Sequence, residues 1–262
     1  VSSTILPEFR EFERLSTTVI NSYLGPRMKM YIHHLQDRIR QVGVRVEPYI
    51  TQSNGGVMSI SSTIQTPVQT ALSGPSAGVM GAVYVAKAAG FLDIITYDMG
   101  GTSTDVSLVK DGIAEYTTKR KVCGLPSGVP MIDVHAVGAG GGSIAHIDNA
   151  GALKVGPESA GANPGPVAYN LGNEQPVVTD ANLVLGRINP HYVLGGRLKI
   201  DAQLSRAAMK KQIADPMGLS VEAAAQGVIS VVNSNMARAI RVITVEKGHN
   251  PSDFTLVAYG GA

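Results

Sequence analysis

The sequence predicts a mixed α/β protein, in which helices and strands alternate along most of the chain. Apolar residues recur at helical spacing in residues 12–42, 201–219 and 221–246. Short β-rich runs such as "DIITYD" and "TDVSLVKDG" predict strands between them. The chain has no internal repeat of solenoid length. Its 262 residues are enough for one large domain or two modest ones.

The first third of the chain predicts two helices, a strand and a further helix. Gly25 and Pro26 interrupt the helical pattern of residues 12–42, which predicts a break there. "RVEPYITQSNGG" predicts a strand that enters a glycine turn. "LSGPSAGVMGAVYVAKAAG" predicts a helix opened by Ser76 and stopped by Gly90.

The rest of the chain predicts strands first and then helices. "DIITYD", "TDVSLVKDG" and "AEYTTKRKV" indicate three strands of an antiparallel meander. Residues 138–169 are rich in Gly, Ala and Pro and predict loops around short strands. The longest of the later helices begins after Ser220, and "DFTLVAYGG" predicts a closing strand.

Composition excludes several classes of function. Charged residues make up 16% of the chain, and 22 basic residues are scattered among 20 acidic ones, so no basic face indicates nucleic acid. One cysteine and no zinc-type spacing favour a reducing compartment, and we expect the cytoplasm. No apolar run of membrane length and no leader pattern occurs. The start at Val1 and the ending "VAYGGA" lead us to expect a piece of a larger protein.

The stretch "YDMGGTSTDVSLV", residues 97–109, is the strongest candidate for a binding site. Gly100 and Gly101 join two predicted strands, so this loop is a hairpin and not a strand-to-helix turn. Such a hairpin can wrap a phosphate with its backbone N–H groups. Two glycines also allow positive φ angles and a close approach of the ligand.

The side chains around these glycines suit a phosphate and a metal ion. Thr102, Ser103 and Thr104 can donate hydroxyl hydrogen bonds to phosphate oxygens. Asp98 and Asp105 are hard oxygen ligands that could hold magnesium, directly or through water. The alternative is a plain type I′ hairpin. We favour the phosphate site, because a plain hairpin needs no aspartate on each side.

Other glycine signatures do not fit known nucleotide loops. "VGAGGGSIAHID" lacks the third glycine of a dinucleotide fingerprint, and no Gly-Lys-Ser or Gly-Lys-Thr occurs. The run of residues 138–143 could present backbone donors to a ligand or permit close strand packing. The sequence leaves both interpretations open.

A few single residues are weaker candidates. His135 could be a general base, a metal ligand with Asp133, or a satisfied histidine on a strand, and we favour the last. Asp180 and Asn182 are typical of a turn or helix cap, with a substrate-pocket role left open. Cys123 lacks a neighbouring base, which favours a small packed residue over a nucleophile.

Several segments together resemble the hydantoinase A and 5-oxoprolinase family, which also includes subunits of acetone and acetophenone carboxylases. They are "LSGPSAGVMGAVYVAKAAG", "DMGGTSTDVSLV", "VGAGGGSIA", "GPESAGANPGPVAY", "VTDANLVLGR" and "MARAIRVITVEKGHNPSDFTLVAYGGA". The resemblance covers essentially the whole chain in collinear order.

The resemblance implies the fold of the actin, sugar kinase and heat-shock chaperone ATPase superfamily, in which two ribonuclease H-like halves close on ATP. Residues 1–74 then end the first half, and residues 75–262 form the second half with its phosphate hairpin at 98–105. Gly260 and Gly261 belong by resemblance to a truncated adenosine turn at 256–262. The earlier Asp-Ile-Gly-Gly-Thr hairpin of the family has no copy here.

The resemblance also implies a function. Members use ATP and magnesium to activate a cyclic amide, such as 5-oxoproline, hydantoin or N-methylhydantoin, for ring-opening hydrolysis with a hydantoinase B-type subunit or fused equivalent. One alternative is a carboxylase subunit that phosphorylates a ketone or bicarbonate. Another is an ATP-switched scaffold without enzymatic activity. Lacking one hairpin, the isolated chain is expected to be inactive.

Overall fold

A computed structural model describes residues 1–261, with the backbone alone at Leu194. The chain forms two compact units. Unit 1 contains residues 1–94 and 107–134, and unit 2 contains residues 95–106 and 135–262. The assignment of residues 1–74 and 75–262 to two superfamily halves concerns the whole protein and stays a prediction.

Unit 1 begins with four helices and a short hairpin. These elements are α1 (Ser2–Ile5), α2 (Glu11–Gln41), β1 (Ile50–Thr51), β2 (Val57–Met58), α3 (Ile60–Gln65) and α4 (Ser73–Ala88). Strands β1 and β2 pair antiparallel around Gly55, whose φ is +79°, as the predicted glycine turn requires. A buried cluster of Ile20, Val68, Val129 and Met131 forms one core of this unit.

Helix α2 is continuous, so the predicted break at Gly25 and Pro26 is wrong. Proline cannot donate to the carbonyl four residues earlier, which belongs to Ser22. Both Ser22 and Pro26 are exposed, and water can therefore satisfy the carbonyl that the proline leaves without a partner. The apolar pattern on either side then continues through one helix of 31 residues.

Helix α4 begins at Ser73 and not after Ser76. Leu72 occupies the N-cap position with a left-handed backbone, φ +59°. The Ser76 hydroxyl lies within the first turn, where it donates to the carbonyl oxygens of Ser53 and Leu72 at 2.7 and 3.0 Å. Ser76 is thus a buried residue whose hydrogen bond joins α4 to the β1–β2 hairpin region, and the prediction that it caps the helix is wrong. Gly90, φ +86°, follows the helix as predicted.

The remaining elements alternate between short strands and helices. They are β3 (Ile94–Met99), β4 (Thr104–Lys110), β5 (Ile113–Ala114), β6 (Tyr116–Thr117), β7 (Arg120–Val122), β8 (Leu125–Ser127), β9 (Met131–Ile132), β10 (Val134–Val137), β11 (Ser143–Ile147), β12 (Leu153–Ser159), α5 (Val178–Val184), α6 (Ala202–Met209), α7 (Asp215–Met217), α8 (Val221–Ile243) and β13 (Thr255–Tyr259). Short 3₁₀ turns lie at Pro67–Thr70, Val167–Tyr169, Leu194–Gly196, Val245–Lys247 and Pro251–Asp253, and a π-helical turn at Lys210–Ala214 separates α6 from α7.

The main sheet has the strand order β10-β4-β3-β13, and β5 pairs with the end of β4. The chain is therefore mixed α/β, with flanking helices, as predicted. The predicted third strand, "AEYTTKRKV", is right only at its start, where Ala114 in β5 pairs antiparallel with β4. Its other residues form β6 and β7, which pair with β9 and β8 in separate ribbons. Its run Lys119, Arg120 and Lys121 suits a surface ribbon, whereas β10 next to β4 begins with the buried Val134.

Helix α8 lies at the core of unit 2. The Ser220 hydroxyl caps it, accepting from the N–H of Ala223, as predicted. Within the described chain, the segment Val221–Lys247 has the length and mean hydropathy of a membrane span. Buried residues recur along α8 at helical spacing and pack against α5 and β12, which is the pattern of a core helix: Ala224, Ala225, Val228, Ile229, Val232, Met236, Ala239 and Ile243.

Candidate functional site

The predicted hairpin exists, and residues 100–103 form its turn between β3 and β4. The N–H of Gly100 donates to the carbonyl oxygen of Ser103 at 2.9 Å. Neither Gly100 nor Gly101 has a positive φ, so this is not a type I′ turn. Backbone handedness therefore does not require glycine at either position.

The hairpin packs closely against the glycine run of residues 138–142. The run needs glycine for this packing, whereas a Cβ on Gly100 would meet only the Ser103 carbonyl oxygen at 3.7 Å and one on Gly101 nothing within 4 Å. The N–H of Gly141 donates to the Gly100 carbonyl at 3.1 Å, and the N–H of Gly142 donates to the Gly101 carbonyl at 2.6 Å. A Cβ added to Gly140 would lie 2.5 Å from the Gly100 oxygen. Of the two interpretations that the sequence leaves open for this run, the structure therefore supports close packing.

With the carbonyl side covered, the N–H groups of the turn remain. Within residues 1–261, no hydrogen-bond acceptor faces the N–H groups of Gly101, Thr102 and Ser103. Gly101 and Thr102 are exposed, and Ser103 is half-buried. We call residues 101–103 the amide nest, because adjacent unbonded N–H groups in a turn bind anions. The amide of Gly100 lies outside it, since Ser103 already accepts its hydrogen.

Thr104 does not have the predicted role of phosphate donor. It is fully buried, and its hydroxyl donates to the carbonyl oxygen of Ala139 at 2.5 Å. Its oxygen also lies 3.4 Å from the sulfur of Met236, to which the Tyr97 hydroxyl donates. Burial raises the pKa of Tyr97. These contacts fix the hairpin on α8, so the buried Thr104 hydroxyl positions the turn.

The two carboxylates flanking the turn face a common neighbour. Asp98 and Asp105 are half-buried, and Tyr259 lies at the end of β13, which is next to β3 in the sheet. Burial, then the negative charge of Asp98, and then that of Asp105 raise the pKa of Tyr259 to about 12, against an opposing hydrogen bond with Thr96. Both carboxylates are thus within electrostatic reach of one hydroxyl.

The turn after β13 touches the same carboxylate. Gly260 has φ +118°, and a Cβ there would clash with the Met99 carbonyl and lie 2.7 Å from Oδ1 of Asp98. Gly261 is exposed, and its Cβ would meet nothing within 4 Å. The structure therefore brings Gly260 to Asp98. Ala262, the last residue of the predicted adenosine turn, lies outside the described residues.

The donor set around Asp98 and Asp105 fits magnesium better than zinc. No group of three His, Cys, Asp or Glu side chains suited to a metal occurs in the described part of the chain. Magnesium is usually held by one or two carboxylates together with waters and phosphate oxygens. A pair of carboxylates next to unbonded amides is compatible with that chemistry.

Asp180 is a structural residue. Its carboxylate is fully buried and accepts hydrogen bonds from the N–H groups of Val167, Ala168 and Val177 and from the Ser205 hydroxyl. Val177 is the N-cap of α5, so the predicted helix-cap role is confirmed. The same carboxylate also fixes the end of the loop that follows β12.

Other candidates lie away from the hairpin or have other partners. Asp133 forms an ion pair with Arg120 at 3.9 Å. His135 lines a cavity of about 130 Å³ along α8. Cys123 is exposed at φ +50°, where it forms the tight turn between β7 and β8 with Gly124. The packed role predicted for Cys123 is therefore wrong, because the turn needs residues with a left-handed backbone.

The sequence analysis did not single out one residue of this region, Tyr259. Tyr259 directly precedes the two final glycines, and that adjacency was the available signal.

The chain is similar to known proteins over nearly its whole length. The family described as Hydantoinase/oxoprolinase matches residues 14–262. Caprolactamase subunit alpha of Pseudomonas jessenii is 43% identical over 98% of this chain, which spans 37% of that protein. The crystal structure of the ATP-dependent caprolactamase from the same organism is 41% identical, with a TM-score of 0.83 over 100% of this chain and 38% of that one.

A nucleotide-free acetone carboxylase, from a study of ATP-dependent acetone carboxylation, is also similar. It is 34% identical, with a TM-score of 0.87 over 100% of this chain and 37% of that one. The chain thus spans little more than a third of the length of these two relatives.

Proposed function

The chain belongs to the hydantoinase/oxoprolinase family, and from this premise we propose that it is the ATP-binding region of an enzyme that activates a cyclic amide for ring-opening hydrolysis. The observation that carries the proposal is the amide nest, which lies between Asp98 and Asp105 and next to the turn at Gly260. Adjacent amides without a protein acceptor can bind an anion, and two flanking carboxylates can hold the metal ion that accompanies a nucleotide phosphate.

The fold-level part of the proposal is a ribonuclease H-like half of the actin, sugar kinase and chaperone ATPase superfamily. Two observations support it. The hairpin strands β3 and β4 occupy the middle of the sheet, and β13 enters beside β3 after the long helix α8. The turn after β13 then reaches Asp98, as an adenosine turn next to a phosphate hairpin would.

The proposed chemistry is phosphoryl transfer, which depends mainly on positioning and on neutralising charge. ATP, when bound, supplies the phosphoryl group that activates the oxygen of an amide. The amide nest would hold phosphate oxygens, and Asp98 and Asp105 would hold magnesium. Thr104 and the glycine run of residues 138–142 keep the hairpin rigid, so that its amides need no rearrangement on binding.

The similarity to caprolactamase supports a cyclic amide substrate. The similarity to acetone carboxylase, with its high TM-score, keeps a ketone or bicarbonate as the second candidate. Since the similar caprolactamase chain is the alpha subunit of its enzyme, we also propose a hydantoinase B-type partner or fused equivalent. A cytoplasmic location remains part of the proposal and rests on cysteine usage.

The test is an assay of the whole protein with its partner subunit. ATP hydrolysis is measured with 5-oxoproline, hydantoin, N-methylhydantoin, caprolactam, acetone and acetophenone, each added separately. We expect one of the cyclic amides to stimulate hydrolysis and to be opened. Stimulation by ketones alone would replace the proposal by the carboxylase alternative, and no stimulation by any compound would count against both.

A further inference from the structure

A cavity of about 400 Å³ lies in unit 1, between the segment of residues 8–13 and the segment of residues 118–128, which contains the β7–β8 ribbon. Its volume falls within the range of small-molecule sites, about 300–1,000 Å³. The charged side chains of its lining are four cations and two carboxylates, which leaves a net charge of +2: Arg10, Lys119, Arg120 and Lys121, with Glu8 and Glu13. This cavity, which we call the basic cavity, therefore favours a negatively charged ligand.

Only two of the four cations have a carboxylate partner in the described part of the chain. Arg10 pairs with Glu13 at 3.6 Å, and Arg120 pairs with Asp133 at 3.9 Å. The two lysines form no ion pair within residues 1–261, and both are exposed. Their ammonium groups donate hydrogen bonds and accept none, so an anion would compensate them.

Ser127, the last residue of β8, provides a second, independent observation. It lines the same cavity and is only 1% exposed. Its hydroxyl oxygen is buried and has no hydrogen-bond partner among the described residues. Buried hydroxyls normally have a partner, and one that lacks it calls for a water molecule or an ion. An acceptor bound in the cavity would satisfy this hydroxyl.

The β7–β8 ribbon places Ser127 directly opposite Arg120. Opposite residues of an antiparallel pair have their side chains on the same face of the ribbon. A hydroxyl donor and a guanidinium donor therefore lie side by side at the cavity.

Helix α2 holds the strand on both sides of this serine. The Ser16 hydroxyl donates to the carbonyl oxygen of Pro126 at 2.6 Å, and the N–H of Gly128 donates to the Thr17 hydroxyl oxygen at 2.9 Å. The backbone that carries Ser127 is therefore fixed before any ligand binds, which lowers the entropic cost of binding.

We propose that the basic cavity binds a small oxyanion, a phosphate or a carboxylate, through Ser127, Arg120 and the two lysines. Lysine and arginine side chains only donate hydrogen bonds, and the serine hydroxyl has a hydrogen to donate. Such a set of donors suits a charged group that only accepts hydrogen bonds. The inference needs no nucleotide and no residue of the amide nest, so it goes beyond the proposed function.

The test is a calorimetric titration of the whole protein with inorganic phosphate and, separately, with glutarate. Phosphate represents the phosphate class of ligand, and glutarate represents the carboxylate class. A non-hydrolysable ATP analogue and magnesium are present throughout, so that added phosphate does not compete for the amide nest. The melting temperature of each protein is measured alongside.

Three variants are compared with wild type. Ser127→Ala removes a hydrogen bond to a charged group, so it should weaken binding of the preferred anion roughly tenfold or more without lowering the melting temperature. Lys121→Gln changes an exposed position, so it should fold and should also weaken binding. Lys29→Gln is the matched control and should bind as wild type does, because Lys29 is an exposed lysine of α2 outside the cavity.

The two titrations also distinguish the two classes of ligand. A loss of affinity for phosphate alone would support the proposal and assign the cavity to phosphates, and a loss for glutarate alone would support it and assign the cavity to carboxylates. The proposal is refuted if neither anion binds to wild type, or if Ser127→Ala or Lys121→Gln binds both anions as tightly as Lys29→Gln does. Because ATP turnover is not measured, failure of the proposed function would leave this result unchanged.

Discussion

The N–H of Gly142 donates to the carbonyl oxygen of Gly101 at 2.6 Å, and a Cβ on Gly142 would lie 2.9 Å from that same oxygen. Two glycines that are 41 positions apart are thus in direct backbone contact. The contact covers the carbonyl groups of the hairpin, whereas the N–H groups of the amide nest have no acceptor within the described residues. The site therefore depends on residues that hold no ligand themselves.

The first prediction tests this support. Gly140→Ala would place a methyl group 2.5 Å from the Gly100 carbonyl oxygen, which belongs to the backbone and cannot swing away. We expect it to lower the free energy of unfolding by about 1–3 kcal/mol and to lower ATP turnover. Gly81→Ala is the control, because a Cβ at this exposed position of α4 meets nothing within 4 Å. It should be neutral or slightly stabilising. Equal stability of the two variants in urea unfolding would contradict the packing account.

The second prediction compares neighbouring glycines in the turn after β13. At Gly260 a Cβ would clash with the Met99 carbonyl and approach Asp98, and φ is +118°, whereas at Gly261 the space is open. Gly260→Ala should displace Asp98 and reduce ATP turnover on the order of a hundredfold. Gly261→Ala should have a much smaller effect. The measurement is ATP turnover by both variants of the whole protein. Similar losses in the two variants would show that the turn does not act through Asp98.

A third prediction concerns the buried carboxylate of Asp180. An amide at this position would direct an NH₂ group at one of the N–H or O–H donors that now surround the carboxylate. Asp180→Asn should therefore cost about 1–3 kcal/mol of stability. Asp201→Asn offers a matched control, because Asp201 caps α6 and asparagine is an equally good cap. Chemical denaturation of both variants provides the comparison, and a nearly neutral Asp180→Asn would show that the network is not essential.

A fourth prediction follows from the pKa of Tyr259, which is raised from 10.0 to about 12. The folded protein then holds the phenolic proton more tightly than the unfolded chain. The resulting stability is complete below the unfolded pKa and is lost as the pH rises from about 10 to about 12. Tyr259→Phe should therefore lose less stability than wild type over this range. Thermal melts at both ends of the range test this, with Tyr84→Phe as control, since Tyr84 is 78% exposed. Parallel losses in all three proteins would refute the assigned environment.

Local patterns were sufficient to predict the hairpin and α8. Two aspartates around adjacent glycines mark a turn by their positions alone, and the apolar face of α8 repeats at the helical period. The contacts of Thr104 with Ala139, and of Gly142 with Gly101, could not be predicted from the sequence. They join residues tens of positions apart, and composition or spacing carries no information about them. The continuity of α2 could not be predicted for a different reason. Pro26 is tolerated because its side of the helix is exposed, and the local sequence does not show that exposure.

The central claim is that the carboxylates around the amide nest serve nucleotide chemistry, and the most direct test is ATP turnover against magnesium concentration for wild type and Asp105→Asn in the whole protein. Removing one carboxylate leaves phosphate charge less neutralised, so we expect turnover to fall on the order of a hundredfold or more with little change in melting temperature. Asp111→Asn is the control, because asparagine tolerates its left-handed backbone, φ +52°. Wild-type turnover in a folded Asp105→Asn protein would contradict the claim and leave the hairpin an ordinary turn.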